Sequence, residues 1–449
     1  MLPVLLSRAR SAPKKSPKLR IAVVANAGNT NLGDEAVLAS ALHALRSRLV
    51  DPNIRVFSLN PADTAARHGV AAAPLRSRVT TTRPADAPTA RQDTLRAAVR
   101  TVPVVAPILR ACVRVARGAM RFGREVKFIL RSWRRVRGAD LLIVAGSNQL
   151  EDWFGGPSGY PYSVLLWTVL ARLAGAPVAV ISVGAGPLHS RLSQWMCVRA
   201  LRFTSYASFR DAESLDLMRS LGYRGPAAVV PDLAFGLELA EPTGRPVGRQ
   251  ARLAINLFPF RDPQYDPTVT DGGADFAEYI DAFARLVAAA AARGMQPVVF
   301  GSQRADARAL ELLEQRLLTL APDIRKVERH MPATVDELVD VIDSSDIVVA
   351  TRYHGILLAV FRNRPTIGIC YQSKSRRLLE MAGLGEYAID ATDLDPGVIL
   401  DYLSKASTAA ETGGRLSARA MAMHVDCQRG FDEALERCLP GLVIPGSVQ

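Results

Sequence analysis

The sequence predicts an α/β protein of two doubly wound domains facing a cleft, with a basic helical insert in the first. Three observations predict it. From "LRIAVVAN" (19–26) onward, apolar β-type runs alternate with helical patterns, the signature of parallel sheets with crossover helices. The alternation comes as two series, parted by the Pro-, Gly- and charge-rich stretch "ELAEPTGRPVGRQ" (238–250), read as a linker. A chain of 449 residues is also too long for one ordinary core.

The elements follow in order. Residues 1–18 are basic without a sustained apolar run, so a disordered tail is expected in place of a signal peptide. The first domain, 19–237, has expected strands at 20–25, 54–58, 140–145, 177–183, 205–209 and 228–231, with helices including 33–48 and 161–174. The second domain, 251–413, opens with "ARLAINLF" and continues with "QPVVFGS", "DIVVATR" and "PTIGICY" as strands. Helices at 274–293, 304–320, 335–343 and 354–363 separate them. A last helix, 414–438, is expected to pack back on the first domain.

The insert, 60–138, begins turn-rich and polar and ends helical. Arginines recur at 110, 114, 117, 121, 124, 131 and 134, beside an apolar face of Val105, Leu109, Val113, Ala116, Met120, Ile129 and Trp133. One long basic amphipathic helix, or a pair, is expected. Either its polar face is solvated while the helix packs on the first domain, or residues 95–137 touch an anionic membrane surface. No nucleic-acid module accompanies the charge, so no nucleic-acid partner is expected.

The formal charge of +13 is unevenly placed. Residues 1–20 carry six basic groups and no acid, and residues 95–137 carry twelve against Glu125 alone. The basicity belongs to these segments and not to the whole surface. Five scattered cysteines, Cys112, Cys197, Cys370, Cys427 and Cys438, form neither a disulfide framework nor a zinc pattern. They fit a reducing cytoplasm, with attachment at the inner face of the membrane if the insert engages lipid. No run of about 20 uncharged apolar residues predicts a transmembrane helix. Oligomeric state is not legible.

Five stretches carry polar groups to strand ends, where ligands of doubly wound sheets bind. "NAGNTNLGDEAVLASAL" (26–42) places Gly28 and Gly33 at tight turns and Asp34 and Glu35 in a first helical turn. Helix capping and catalysis compete for Asp34. "AGSNQLEDWFGGPSGYPYSVLLW" (145–167) offers Asn148, Gln149, Glu151 and Asp152 to sugar hydroxyls, and Trp153, Tyr160 and Tyr162 for stacking on a pyranose, against the reading of an ordinary loop. "SVGAGPLHSR" (182–191) makes a narrow turn at Gly184 whose amides are expected to cradle an anion. "SYASFRDAESLDLMRSLG" (205–222) ends a strand at Arg210, either for a ligand or for a structural pair with Asp211.

"TRYHGILLAV" (351–360) puts Arg352 at a strand end and His354 at a helix start that favours anions, and Lys374 follows the next strand. Arg210, Arg352, Lys374 and His354 are therefore expected to converge on one cleft. Guanidinium groups there suit carboxylate and phosphate together. No Walker loop, Ser/His/Asp elbow or metal-ligand cluster is present, so no metal is expected.

These segments, in this order, resemble the polysaccharide pyruvyl transferase family: "GNTNLGDEAVL", "GSNQLEDWFGG", "GYPYSVLLW", "SVGAGP", "SFRDAESLDLMRSLG", "VPDLAFGL", "TRYHGILLAV" and "PTIGICYQSK". The resemblance spans about residues 20 to 385. It implies a GT-B-like pair of Rossmann-like domains. The implied activity moves the enolpyruvyl unit of phosphoenolpyruvate onto a sugar of a cell-surface polysaccharide or its lipid-linked precursor, forming a pyruvate ketal.

Phosphoenolpyruvate is then a co-substrate and no cofactor is implied. Arg210, Arg352, Lys374 and Gly184 are expected at the donor, with His354 as the acid. Asn148, Glu151 and Tyr160 are expected at the acceptor, and Asp34 or Asp152 as the base. The family's glycine-rich run after the third strand of domain one is "AGSNQLED" here, and the insert is long, which bears on the acceptor. Two readings compete: a nucleotide-sugar glycosyltransferase of the same architecture, and a non-catalytic protein of an envelope-assembly complex.

Overall fold

The computed structural model describes residues 18–77, 105–153, 155–240, 250–266, 269–322, 327–408 and 410–441. The expected basic tail, the part of the insert from residue 78 to 104, and most of the expected linker lie outside the described residues.

The first domain runs β1 (Arg20–Val24), α1 (Leu32–Arg48), β2 (Asn53–Ser58), α2 (Pro61–His68), β3 (Ala71–Pro74), α3 (Val105–Val136), β4 (Leu141–Ala145), α4 (Tyr160–Leu173), β5 (Val178–Val183), α5 (Arg191–Arg202), β6 (Tyr206–Phe209), α6 (Ala212–Ser220) and β7 (Ala228–Val229). The sheet order is β3-β2-β1-β4-β5-β6-β7, with every pairing parallel. β4, "LLIVA", is buried at every residue because helices cover both faces of a parallel sheet. That is why its sequence is an unbroken apolar run.

The second domain runs β8 (Arg252–Asn256), α7 (Ala274–Ala292), β9 (Gln296–Phe300), α8 (Asp306–Leu320), β10 (Glu328–His330), α9 (Val335–Asp343), β11 (Ile347–Ala350), α10 (Tyr353–Phe361), β12 (Thr366–Cys370), α11 (Ser373–Met381) and β13 (Ala388–Asp390). Its order, β10-β9-β8-β11-β12-β13, repeats the winding of the first sheet. In each sheet the strand order reverses at one place: between β1 and β4, and between β8 and β11. A crevice opens at such a switch point. The two domains meet there. The Leu32 amide donates to the Ser302 carbonyl at 3.0 Å, and Asn31 pairs with Gln303 as an isolated bridge.

The chain ends in α12 (Pro396–Thr408) and α13 (Ala410–Cys438). α13 returns to the first domain: Arg48 pairs with Asp432 and also donates to Gln428 Oε1 at 2.7 Å. Phe431 on the same helix is fully buried.

The insert is shorter than the sequence suggested. Residues 61–74 form α2 and β3, which add an edge strand in register with β2 (Arg55↔Ala71). "AAAP" has none of the β-branched residues that advertise a strand, and Pro74 ends it where a missing N–H costs nothing. α3 is one helix whose C-terminal part is anchored. Phe128, Ser132 and Val136 are buried at helical spacing, and Phe128 meets Trp167 edge-on at 6.4 Å. Trp167 lies against Phe57 at a tilt, ring centroids 4.0 Å apart, and donates to the Leu75 carbonyl at 2.9 Å. Met120, read into the packed stripe, is 60% exposed.

Candidate active site

Four first-domain strands and two second-domain strands deliver polar side chains to the switch points. After β1, the helix start is capped by Asn31, whose side chain accepts from the Gly33 amide. Asp34 follows, 4% exposed, at the centre of a cage. Its Oδ2 accepts from the amide groups of Asn26, Asn29 and Asn31 at 3.0, 3.0 and 2.9 Å, and its Oδ1 accepts from Ser147 Oγ at 2.5 Å. Ser147, just after β4, is held in the left-handed region (φ 61°), which aims its hydroxyl at the cage. Burial raises the Asp34 carboxyl, opposed by His354 and these donors.

His354 lies in the first turn of α10 and packs against Gly33. A Cβ on Gly33 would sit 1.9 Å from its Nδ1, so glycine there is a requirement of close approach. Its Nε2 is buried without a hydrogen bond and lies 3.9 Å from Asp232 Oδ1. Burial pushes the imidazole below its usual range, Asp232 and Asp34 push it back up, and Arg210 and Lys374 push it down again.

Arg210, after β6, is 4% exposed and donates to Asn148 Oδ1 at 3.0 Å. Its carboxylate partners are loose: Asp211 at 3.3 Å and Asp232 at 3.7 Å. Its guanidinium covers the Tyr353 ring at 4.8 Å, and the Lys374 ammonium approaches the same ring at 5.8 Å. Gly184, after β5, makes room for this: a Cβ there would meet Asn148 and the Arg210 guanidinium within 2.6 Å.

Two titrations sit close to neutrality. Burial pushes the Glu151 carboxyl up to about 7, with Lys374 and Arg210 opposing it. Burial, then Arg210, pushes the Lys374 ammonium down to about 8, with Glu151 and Asp34 opposing it. Glu151 also accepts from Asn148 Nδ2, which ties it to the Arg210 arm.

The structure thus brings together Arg210, Lys374, His354, Glu151, Asn148 and Asp34. Arg352 sits at the edge of the same group, close enough for its charge to lower Lys374. Its guanidinium stacks on Phe258 at 4.5 Å and is engaged by Asp306, with Nε 3.1 and 3.2 Å from the two carboxylate oxygens and Nη2 also bonded.

Five expectations change. Asp152 is unsuited to be a base. Its oxygens accept from the backbone amides of His189 and Ser190 at 2.8–3.1 Å, and although burial works the other way, these hold its carboxyl below the usual range. Asp34 is equally unsuited, because four donors already occupy it. The turn at 184–186 cradles no anion with its own amides: Gly184, Ala185 and Gly186 donate to Ser147, Ser214 and Leu150. Tyr160 is also not open to a sugar. Its hydroxyl donates to Asn26 Oδ1 at 2.6 Å, and Arg76 covers its ring at 4.5 Å. Tyr162 donates to Glu125 at 2.7 Å, which leaves Trp153, 48% exposed, as the open aromatic among the described residues of that loop.

Sequence reasoning missed Asp232. It is 1% exposed, follows β7, and stands between His354 and Arg210 with its Oδ2 unbonded. The signal was available in "VPDLAFGL", an acid at a strand end followed at once by apolar residues. The asparagines of the Asp34 cage were also missed.

Two parallel doubly wound sheets with polar groups gathered between their carboxyl edges define a GT-B-type protein. Solved structures share this fold. Anabaena HepE in complex with UDP and glucose matches at TM-score 0.55 with 13% identity, over 93% of this chain and 99% of that one. The same protein with UDP-glucose matches at TM-score 0.54 with 12% identity, over 93% and 99%. A Listeria monocytogenes protein described as a UDP-N-acetylglucosamine 2-epimerase matches at TM-score 0.58 with 7% identity, over 97% and 100%. At such identities the likeness is one of fold. No curated protein matches the chain by sequence. The chain belongs to the polysaccharide pyruvyl transferase family, whose sequence model matches residues 31–373.

Proposed function

We propose that the protein transfers the enolpyruvyl group of phosphoenolpyruvate to a sugar, closing a pyruvate ketal on a cell-surface polysaccharide or its lipid-linked precursor. The observation that carries this reading is the meeting of Arg210 from one domain with Lys374 and His354 from the other, around one Tyr353 ring. Three buried or half-buried cationic or titratable nitrogens with only loose carboxylate partners suit a small ligand bearing both a carboxylate and a phosphate.

In this scheme the protonated His354 gives its proton to the methylene carbon of the donor, and the C2 centre becomes oxocarbenium-like. A sugar hydroxyl attacks C2 and loses its proton to Glu151, whose pKa of about 7 matches a base working near neutrality. The C2–O bond to phosphate breaks, and phosphate leaves against Arg210 and Lys374. A second hydroxyl then attacks C2 and closes the ketal; of the two hydroxyl protons one replaces that given up by His354 and the other leaves on the phosphate, so donor and diol give ketal and inorganic phosphate.

Asp232 positions His354 and keeps the imidazolium from being too costly. Burial disfavours the charged form of His354 in the free protein. The arriving donor anion raises its affinity for a proton, so the acid is armed when the donor binds.

The test is phosphate release from phosphoenolpyruvate with a panel of β-galactosides, mannosides and glucuronides, followed by mass spectrometry of the glycan. Release that requires the glycan, with a mass gain of one pyruvate ketal, is expected. Consumption of UDP-glucose, with phosphoenolpyruvate untouched, would overturn the reading in favour of a glycosyltransferase. A protein that consumes neither would leave the envelope-assembly alternative.

A further inference from the structure

Outside the cleft, α3 is the largest feature with no role. At 32 residues it is about 48 Å long, and it carries nine Arg or Lys against one acid. Its C-terminal part is packed on the first domain through Phe128, Ser132 and Val136. Residues 119–124 are exposed throughout, and Phe122 (73%), Val126 and Leu130 (52%) stand open to solvent at a spacing of four. In the sequence the same spacing of three and four runs upstream through Ile108, Cys112, Val115 and Ala119. The opposite side of the helix bears Arg121, Arg124, Lys127 and Arg131, all exposed. The one acid, Glu125, is turned inward to Tyr162 and Ser77 and does not offset that charge.

Among the described residues no helix is long and apolar enough to cross a membrane. A helix with an open apolar stripe and an Arg-rich flank fits the plane of a membrane interface. With nine basic residues against one acid, the helix is complementary to an anionic lipid surface and is repelled by a second copy of itself.

We propose that α3 lies on an anionic bilayer, with Phe122, Val126 and Leu130 at the acyl boundary and Arg121, Arg124, Lys127 and Arg131 among the headgroups. Its middle is docked on the cleft side. Glu125 binds Tyr162, and Tyr160, two residues earlier, donates to Asn26 in the Asp34 cage. Docking therefore holds the site at the membrane surface, where a lipid-carried glycan would be presented. That last step rests on the proposed function, while membrane binding does not.

The test is flotation of the full chain with vesicles of phosphatidylcholine alone and of phosphatidylcholine with phosphatidylglycerol. The wild type is expected to float with the anionic vesicles only, and to be released at 1 M salt, where the Debye length is about 3 Å. Replacing Phe122, Val126 and Leu130 by Glu together, or Arg124 and Arg131 by Glu, is expected to cut flotation at least about tenfold, since each interfacial cation is worth about 1 kcal/mol. Glycan-dependent phosphate release with a water-soluble acceptor is expected to persist in both variants and reports that they fold. Equal flotation with neutral vesicles, or unchanged flotation of either variant, overturns the proposal. So does a wild-type dimer that the triple variant converts to monomer, which would assign the stripe to a second copy.

Discussion

The two strand-end arginines of the cleft are treated in opposite ways. Arg352, from the second domain, is gripped by Asp306, which also accepts from the amides of Ser302 and Gln303 at 2.9 and 3.0 Å. Arg210, from the first domain, has one amide oxygen at 3.0 Å and two carboxylates no nearer than 3.3 Å. Both are buried, and burying a cation is costly unless it is paired. Arg352 is compensated inside the protein and acts as a fixed charge that shapes its domain. Arg210 is held at longer range by several acids, Asp232, Asp211 and Glu151, and none of them grips it as Asp306 grips Arg352, which leaves its guanidinium free to turn to a ligand anion.

Substitutions separate the two. Arg210→Ala is expected to leave the fold close to intact and to cut turnover of phosphoenolpyruvate most, by roughly 10²–10³-fold, measured as phosphate release. Arg352→Ala is expected to act first on stability, losing about 3–5 kcal/mol in a denaturant titration because Asp306 is left buried and unpaired. Equal stability losses for the two variants would erase the distinction. His354→Ala is expected to lower kcat by about 10²–10⁴-fold, the range of a lost general acid, with donor binding weakened less than in Arg210→Ala.

Glu151→Gln sharpens the contrast on the acid side. A carboxyl raised to about 7 from 4.5 opposes folding once it ionises, so wild-type stability should fall as pH rises from about 4.5 to 7. The amide removes that fall and also removes turnover. Denaturation midpoints at pH 5 and pH 8 for both proteins check it. Smallest is Lys374→Arg. Donor affinity of the wild type should weaken as pH climbs through about 8 and the ammonium is lost. The arginine variant should show no such weakening over that range, because a guanidinium stays charged.

The strand ends were readable because buried parallel strands are continuous apolar runs, so Arg210, Arg352, His354 and Lys374 stand out as the basic residues that first follow them. β3, β10 and β13 were not readable. Ala71–Pro74 has no β-branched residue, Glu328–His330 is "ERH", and Ala388–Asp390 has three residues, so none shows a period. The positions of carboxylates were legible, but their states were not. Asp34 and Glu151 look alike in sequence. Only the fold gives one of them three asparagines and a serine, and leaves the other between an ammonium and a guanidinium. Asp232 escaped for the same reason, since its meaning lies in two partners more than 20 residues away on either side.

The most direct test of the account is calorimetric titration of phosphoenolpyruvate into the wild type and Arg210→Ala, each in two buffers of different ionisation enthalpy at pH 7. The account predicts wild-type binding with uptake of a proton as His354 charges, and binding weakened about 100-fold, roughly 3 kcal/mol, in the variant. Undiminished binding by Arg210→Ala, or binding with no proton taken up, would contradict it.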